Sequence, residues 1–114
     1  MVYTQLDNRT LHALLDSLIE PIVFADTDHI VRYLNKAAIL HFKEGRTLLE
    51  KSILECHNDQ SNKEIIVILA KMKQGLDEQL ITDNEKQCIF MRAVRDNSGQ
   101  LLGYYERYEN KKIL

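Results

Sequence analysis

The first apolar residues of the chain recur every three or four positions, which is the spacing of one helical face. They are Leu11, Leu14, Leu15, Leu18 and Ile19. Asp7 or Asn8 is suited to cap the start of this helix, and Pro21 ends it. The pattern therefore predicts an amphipathic helix at the start of the chain.

Two short apolar segments after this helix are typical of strands. They are PIVFAD at residues 21–26 and IVRYLN at residues 30–35, and the turn sequence DTDH joins them into a hairpin. A short helix is predicted from Asn35 to Phe42, and Gly45 breaks it. The apolar spacing within residues 46–57 then favours one or two helical turns.

A longer helix is predicted from Ser61 to Gly75. Ser61 and Glu64 have the spacing of a capping box, in which each side chain bonds the backbone amide of the other residue. Apolar residues continue at helical spacing as far as Gly75, a residue suited to end a helix. The last third of the chain has strand composition, and it predicts strands within residues 77–83, 86–96 and 100–109.

The order of these elements indicates the fold class. A helix and two strands are followed by several short helices and three strands, and the two strand groups fit one antiparallel sheet with helices gathered on one face. This arrangement is an α+β domain. We expect an N-terminal helix over residues 1–20 and a single domain over residues 21–110.

Composition and charge exclude several function classes. The chain has 114 residues, of which 45% are apolar and 28% charged, and its formal net charge is -2. Because its cations are not clustered, no nucleic-acid partner is expected. No apolar run approaches the ~20 residues that span a bilayer, and no signal peptide begins the chain. With only two cysteines, the sequence predicts a cytoplasmic protein without membrane contact.

Several short sequence pieces together carry a family resemblance. They are VFAD at 23–26, VRYLN at 31–35, Arg46, Cys56, His57, Ser61, Lys73, Gly75, AVRD at 93–96, Gly99, Gly103 and Glu106. In this order the pieces resemble a PAS domain, a small sensor module of bacterial signalling proteins, from about Leu14 to Tyr108. The likeness is closest to the PAS domains found behind hemerythrin-like domains in anaerobic bacteria.

The resemblance implies a five-stranded antiparallel sheet in the order 2-1-5-4-3, with a cavity between the sheet and the central helices. PAS domains use that space for haem, flavin or small metabolites, or fill it with side chains. Two features depart from the family. Asn58 stands where the relatives have a proline after the Cys-His pair, and the chain ends in YENKKIL where many PAS domains continue into a kinase or cyclase.

Cys56 and His57 are the first candidates for cofactor-binding residues. Both precede the long helix, whose N-terminal partial charge favours a thiolate and a neutral imidazole. Either form can coordinate iron or another metal, so haem is one candidate and the identity of the cofactor stays unknown. The structural alternative is that Cys56 is a small buried apolar residue and His57 a turn residue. His41 is a further candidate, which would face His57 across the cavity.

An aromatic set supplies the other candidates for cofactor binding. Its members are Phe24, Tyr33, Phe42, Phe90 and Tyr104. They either line a pocket or form an ordinary close-packed core. Because successive strand residues point to opposite faces, Tyr104 and Tyr105 lie on different sides of the sheet. The tyrosine that faces the helices is the pocket candidate, and the other is a surface or dimer-contact candidate.

The function that we predict is a sensory domain without catalysis of its own, which binds a small ligand or cofactor or a protein partner. A homodimer through the N-terminal helix or the sheet is expected, with a signalling protein as a possible partner. Two alternatives stay open. One is a small thiol-dependent enzyme or redox protein that uses Cys56, with His41 or Glu106 as helper. The other is a ligand-free protein-interaction module.

Overall fold

The structure is a computed structural model that describes residues 5–43 and 45–111 of the chain. This part of the chain contains three α-helices, two 3₁₀ helices and five strands. The helices are α1 (Asn8–Asp16), α2 (Lys36–His41) and α3 (Asp59–Lys73), with 3₁₀ helices at Gly45–Leu48 and Ile53–Cys56. The strands are β1 (Val23–Asp26), β2 (Val31–Leu34), β3 (Glu78–Asp83), β4 (Gln87–Arg95) and β5 (Leu101–Asn110). Across these residues, no helix combines the length and the hydropathy needed to cross a bilayer.

The five strands form one antiparallel sheet in the spatial order β2-β1-β5-β4-β3. β1 pairs with β2, β3 with β4 and β4 with β5 as hairpins, and β5 returns to pair with β1 in the centre. Gly103 permits this central pairing, because a Cβ atom there would lie 2.1 Å from the carbonyl oxygen of Ala25. The predicted α+β class and strand order are confirmed.

Alternation along the strands gives the sheet two different faces. Ala25, Met91 and Tyr104 point to the inner face and are each at most 1% exposed. They pack in one core with apolar residues of α2, α3 and the second 3₁₀ helix. Phe24 and Tyr105, which are partners across β1 and β5, point to the outer face. The core therefore lies on one side of the sheet only.

Helix α3 is the main cover of the inner face, and it begins earlier than predicted. Its N-cap is Asn58, whose side chain accepts a hydrogen bond from the backbone amide of Ser61 at 2.8 Å. The predicted capping box of Ser61 and Glu64 is wrong, because Ser61 already lies inside the first helical turn. The helix ends as expected. Gly75 has φ +115°, and its amide donates to the carbonyl of Met72 at 3.0 Å.

Helix α1 is shorter than predicted and buries none of its residues. Asp7 caps its start, as expected, by accepting a hydrogen bond from a backbone amide of the first turn. The helix ends at Asp16, because the hydroxyl of Ser17 donates to the carbonyl of Leu14 at 2.6 Å and offers the backbone an alternative to a further turn. The predicted continuation to Ile19 is therefore wrong.

Asn35 joins the end of α1 to the sheet. This residue is fully buried, and its Oδ1 accepts hydrogen bonds from the amides of Ile22 and Ala38, each at 2.9 Å. Its Nδ2 donates to the carbonyls of Leu15 and Glu20, each at 3.0 Å. Both donors and both acceptor positions of the side-chain amide are used. One side chain therefore caps α2 and fixes the connection between α1 and β1.

Candidate ligand pocket

The space between the inner face and the helices holds a pocket of two adjacent compartments, both lined by His57 and Glu106. We call the two together the inner pocket. The apolar compartment, about 150 Å³, is otherwise lined by Val23, Val31, Phe42, Leu48 and Ile53. The polar compartment, about 210 Å³, is otherwise lined by Ser61, Glu64, Ile65, Ile81, Thr82 and Ile89.

His57 lies between the second 3₁₀ helix and α3, where its ring is held by one hydrogen bond. Its Nδ1 lies 2.9 Å from the carbonyl oxygen of Ile53. Because a carbonyl can only accept, Nδ1 must carry the hydrogen. In the neutral ring Nε2 is then the acceptor, so His57 presents an acceptor to a ligand.

Glu106 enters the pocket from β5. It shares the inner face with Tyr104 and Tyr108, because residues two apart on a strand point the same way. The Tyr108 hydroxyl donates to Glu106 Oε2 at 3.0 Å. Burial, and then the charge of Glu106, raise the pKa of Tyr108 above its usual range. Within residues 5–43 and 45–111, no cationic side chain forms an ion pair with Glu106.

Tyr104 fills the core beside the pocket and lines neither compartment. Its hydroxyl lies 2.9 Å from Nδ1 of His29, which sits in the turn between β1 and β2 with φ +67°. Burial lowers the pKa of His29, the charge of Lys73 lowers it further, and Asp26 and Asp28 oppose both effects. Burial also raises the pKa of Tyr104. Both partners of this hydrogen bond are therefore neutral at pH 7.

Phe24, Tyr33 and Phe90 lie on the outer face, so the expectation that they share a pocket with Tyr104 is corrected. Phe24 is the strand partner of both Tyr33 and Tyr105. The guanidinium of Arg107 lies 4.3 Å above the Phe90 ring. The physical reason is the two-residue period of a strand, which turns Tyr104 inward and these side chains outward.

The remaining candidates divide between the pocket and its surroundings. Phe42 lines the apolar compartment. His41 is exposed and lines neither compartment, and its ring lies edge-on to Phe42 at 4.8 Å and to Tyr108 at 6.3 Å between centroids. This placement does not support a His41 and His57 pair across the cavity. The side chain of Cys56 lies outside the described part of the structure, and its role stays a prediction.

The inner pocket contains a side chain that could bind the iron of haem, but the pocket is too small for haem. The hydrogen bond at Nδ1 would leave Nε2 of His57 to coordinate a metal. However, pockets for drug-sized ligands measure about 300–1,000 Å³, and the two compartments, at about 150 and 210 Å³, together reach only the lower end of that range, which is too small for haem. We therefore assign no haem here. Among the described residues, no group of three or more His, Cys, Asp and Glu side chains could hold a metal ion.

A second apolar space, which we call the outer groove, lies between α1 and the outer face and measures about 860 Å³. Its main apolar lining residues are Leu11, Leu15, Leu18, Ile22, Phe24, Val94, Leu102 and Tyr105. Polar contacts hold α1 beside it. Asp16 Oδ1 accepts hydrogen bonds from the Tyr33 hydroxyl at 2.8 Å and from the Lys36 amide at 3.0 Å. The outer groove is therefore apolar but not filled by α1.

The sequence does not predict that Glu106 lines the pocket, because it suggests this residue only as part of the family resemblance and as a helper of thiol chemistry. It also does not predict Tyr108, which donates to Glu106 but lines neither compartment. The signal that could have found them is the strand period, since an inward Tyr104 requires an inward Glu106 and an inward Tyr108. The pattern alone left open which of Tyr104 and Tyr105 faces the helices, and this choice decides the rest of the strand.

Comparison with protein-family models matches residues 11–110 to a model described as a PAS domain. No curated protein matches the chain. Among solved structures, the chain is similar to the C-terminal domain of a Streptococcus mutans protein, with 22% identity, a TM-score of 0.75, and coverage of 92% of this chain and 85% of that one.

Two further solved structures have the same fold. The PAS domain of BvgS from Bordetella pertussis is 15% identical with a TM-score of 0.67, over 92% of this chain and 86% of that one. A sensory box sensor histidine kinase from Vibrio cholerae is 16% identical with a TM-score of 0.61, over 93% and 92%. At these identities the likeness concerns the fold.

Proposed function

The chain belongs to the PAS domain family, and we propose that it is a sensory domain whose inner pocket binds a small molecule. The family supports a signal-sensing role in general. The observation that carries the ligand proposal is the position of His57 and Glu106, which place an imidazole and a carboxylate beside an apolar compartment and at its junction with the polar compartment under α3. An apolar pocket with a few polar groups is the usual form of a small-molecule site.

We propose that binding changes the population of two arrangements of the sheet and α1. Strand β5 connects the two sides, because Glu106 lines the inner pocket and the adjacent Tyr105 lines the outer groove. A ligand that repositions Glu106 also changes the surface beneath α1. The output of the domain is then a change at the outer groove.

Benzyl alcohol, a small neutral probe, tests whether the inner pocket accepts a ligand. We expect saturation-transfer NMR to detect binding to the wild type, and Leu48→Phe to weaken it, because Leu48 lines the apolar compartment. Leu49→Phe is the matched control, since Leu49 is 47% exposed and lines neither compartment. Absence of binding to the wild type, or equal loss in both variants, would overturn the proposal.

For the outer groove we propose a second copy of the chain as the partner. Helix α1 leaves Leu11 and Leu14 exposed by 41% and 56%, and Leu18, which follows the helix, is exposed by 38%. Leu11 and Leu18 line an apolar groove of the same chain. Each copy therefore offers both an apolar helix face and a groove, which is the requirement for a two-fold symmetric interface.

Sedimentation equilibrium tests this dimer. We expect the wild type to associate and Leu11→Glu to be monomeric, because the charge would be placed in the apolar interface. Leu40→Glu is the control, since Leu40 is 77% exposed on α2 and does not line the outer groove. A monomeric wild type, or a Leu40→Glu variant that dissociates equally, would contradict the dimer.

Four further expectations from the sequence remain predictions. They are the likeness to PAS domains behind hemerythrin-like domains, the bacterial and cytoplasmic setting, a signalling-protein partner and the absence of catalysis. The thiol-enzyme alternative depends on Cys56 and also stays open. The ligand-free module differs from our proposal in one observable, because it would not bind the neutral probe.

A further inference from the structure

The polar atoms that the inner pocket offers to a ligand are mainly acceptors. Glu106 contributes a carboxylate, and His57 in its neutral form contributes Nε2, because its Nδ1 hydrogen is used by the Ile53 carbonyl. Glu64 adds a second carboxylate to the polar compartment, and Ser61 and Thr82 add hydroxyls that can donate or accept. Among the described residues, neither compartment has a lysine or arginine in its lining. A ligand that donates hydrogen bonds fits these atoms, whereas an anion does not.

Glu106 also has no cationic partner among the described residues of its own domain. The nearest candidates by sequence and register are Arg107, its neighbour, and Arg92, one position from its strand partner Met91. Both point to the outer face, where they interact with Glu78 at 2.9 Å and 4.0 Å. The only hydrogen bond that the described residues donate to Glu106 comes from the neutral Tyr108 hydroxyl. A cationic ligand would supply the missing charge.

The size and lining of the apolar compartment determine which apolar group the ligand carries. It measures about 150 Å³, and an apolar protein cavity of about 150 Å³ can hold a benzene molecule. Its walls are aliphatic and aromatic apart from His57 and Glu106. A ring or a branched alkyl group therefore fits there, with its polar end at the shared residues.

We infer that the inner pocket selects small primary ammonium compounds that carry one compact apolar group, and rejects the corresponding carboxylates. This inference rests on the proposed function of the pocket as a small-molecule site. The ammonium donates hydrogen bonds to Glu106 and to His57 Nε2, and the apolar group occupies the compartment formed with Val31, Phe42 and Ile53. No covalent step is involved.

Three probes of nearly equal shape test the inference: benzylammonium, benzyl alcohol and benzoate. Their dissociation constants are measured by NMR titration of the full chain at pH 7. We expect benzylammonium to bind about tenfold more tightly than benzyl alcohol, because only the ammonium adds the attraction of a positive charge to its hydrogen bond with the Glu106 carboxylate. Benzoate should bind most weakly.

Glu106→Gln should remove the preference for benzylammonium over benzyl alcohol, and an unchanged urea unfolding midpoint would show that the variant is folded. Glu109→Gln, on the same strand with an exposed side chain, should keep the preference. The inference is overturned if benzyl alcohol or benzoate equals benzylammonium, or if Glu106→Gln keeps the preference. Equal binding of amine and alcohol would leave the small-molecule site intact, whereas failure of all three probes would remove both proposals.

Discussion

The first and third helices use their apolar residues in opposite ways. Helix α3 buries Ile65, Ile68, Leu69 and Met72 against the inner face, whereas α1 buries no residue and leaves Leu11 and Leu14 exposed. The difference lies in what holds each helix. Packing holds α3, and hydrogen bonds from Asn35, Tyr33 and Lys36 hold α1.

This comparison indicates that α1 and α3 have different roles within one small domain. A packed α3 can close the inner pocket and keep its shape, since protein interiors are dense and respond to small volume changes. A helix held by a few polar contacts can move or exchange partners at lower cost. We therefore assign ligand binding to the α3 side of the sheet and signal output to the α1 side.

A matched pair of leucine substitutions gives the largest expected difference between the two helices. Leu69→Ala should lower the free energy of unfolding by about 3 kcal/mol, because Leu69 is 3% exposed in the core. Leu14→Ala should cost less than about 0.5 kcal/mol at concentrations where the chain is monomeric, since Leu14 is 56% exposed. Urea denaturation measures both, and equal costs would contradict the comparison.

The two capping asparagines test the polar attachment of α1. Asn35→Ala should cost about 2 kcal/mol, because it leaves buried amides and carbonyls without partners. Asn58→Ala should cost about 1 kcal/mol, since this cap is exposed and its side chain accepts one amide hydrogen bond. Only the first variant should also speed hydrogen exchange of the α1 amides. Similar exchange in both variants would show that α1 is held by other contacts.

A smaller effect is expected from pH at the turn between β1 and β2, where His29 lies. The pKa of His29 is below its ordinary value of 6.5, owing first to burial and then to Lys73. A lowered pKa means that this residue contributes its full stability above pH 6.5 and loses it as the pH falls through the lower folded value. We expect the loss between pH 7 and 5 to be under about 1 kcal/mol after solvent screening.

His29→Gln should flatten that part of the stability curve, and the exposed His41→Gln should not. Urea denaturation at several pH values between 7 and 5 provides the measurement. An unchanged slope in His29→Gln would mean that other groups cause the pH dependence.

Tyr33→Phe should give the smallest effect. It removes the hydroxyl that donates to Asp16 at 2.8 Å, at an expected cost of about 0.5 kcal/mol for a solvent-accessible hydrogen bond. Burial and Asp16 raise the pKa of Tyr33 to about 12, so the hydroxyl keeps its proton at neutral pH. Faster hydrogen exchange in α1, with unchanged exchange in α3, would show that the hydrogen bond from Tyr33 to Asp16 helps to hold α1 against the sheet. Unchanged exchange in α1 would show that this bond does not hold it.

The fold was predictable from the sequence because its signals are local and periodic. The order of strands and helices, the turn with His29 and the end of α3 at Gly75 follow from spacing and turn chemistry. The start of α3 and the end of α1 were predicted wrongly, because both depend on competition between neighbouring polar residues. Asn58 displaced Ser61 as cap, and Ser17 ended α1 early, which spacing alone does not decide.

The candidate site was predictable only in part. His57 and Phe42 could be proposed because they precede or follow helices that cover the sheet. Glu106 required knowledge of which side of β5 faces the core. A strand can turn either of two alternate sets of side chains toward the core, and the two sets differ by a shift of one residue. The packing of the sheet against the helices decides which set is buried.

Isoleucine methyl NMR during a benzylammonium titration tests the central claim most directly. Ile53 lines the apolar compartment, and Ile65, Ile81 and Ile89 line the polar compartment. Ile19 and Ile66 are exposed by 92% and 48% and serve as internal controls. We predict saturable shifts of the four pocket methyls with unchanged Ile19 and Ile66 signals. Shifts confined to the exposed methyls, or no shift at any probe concentration, would contradict the assignment of the inner pocket as a ligand site.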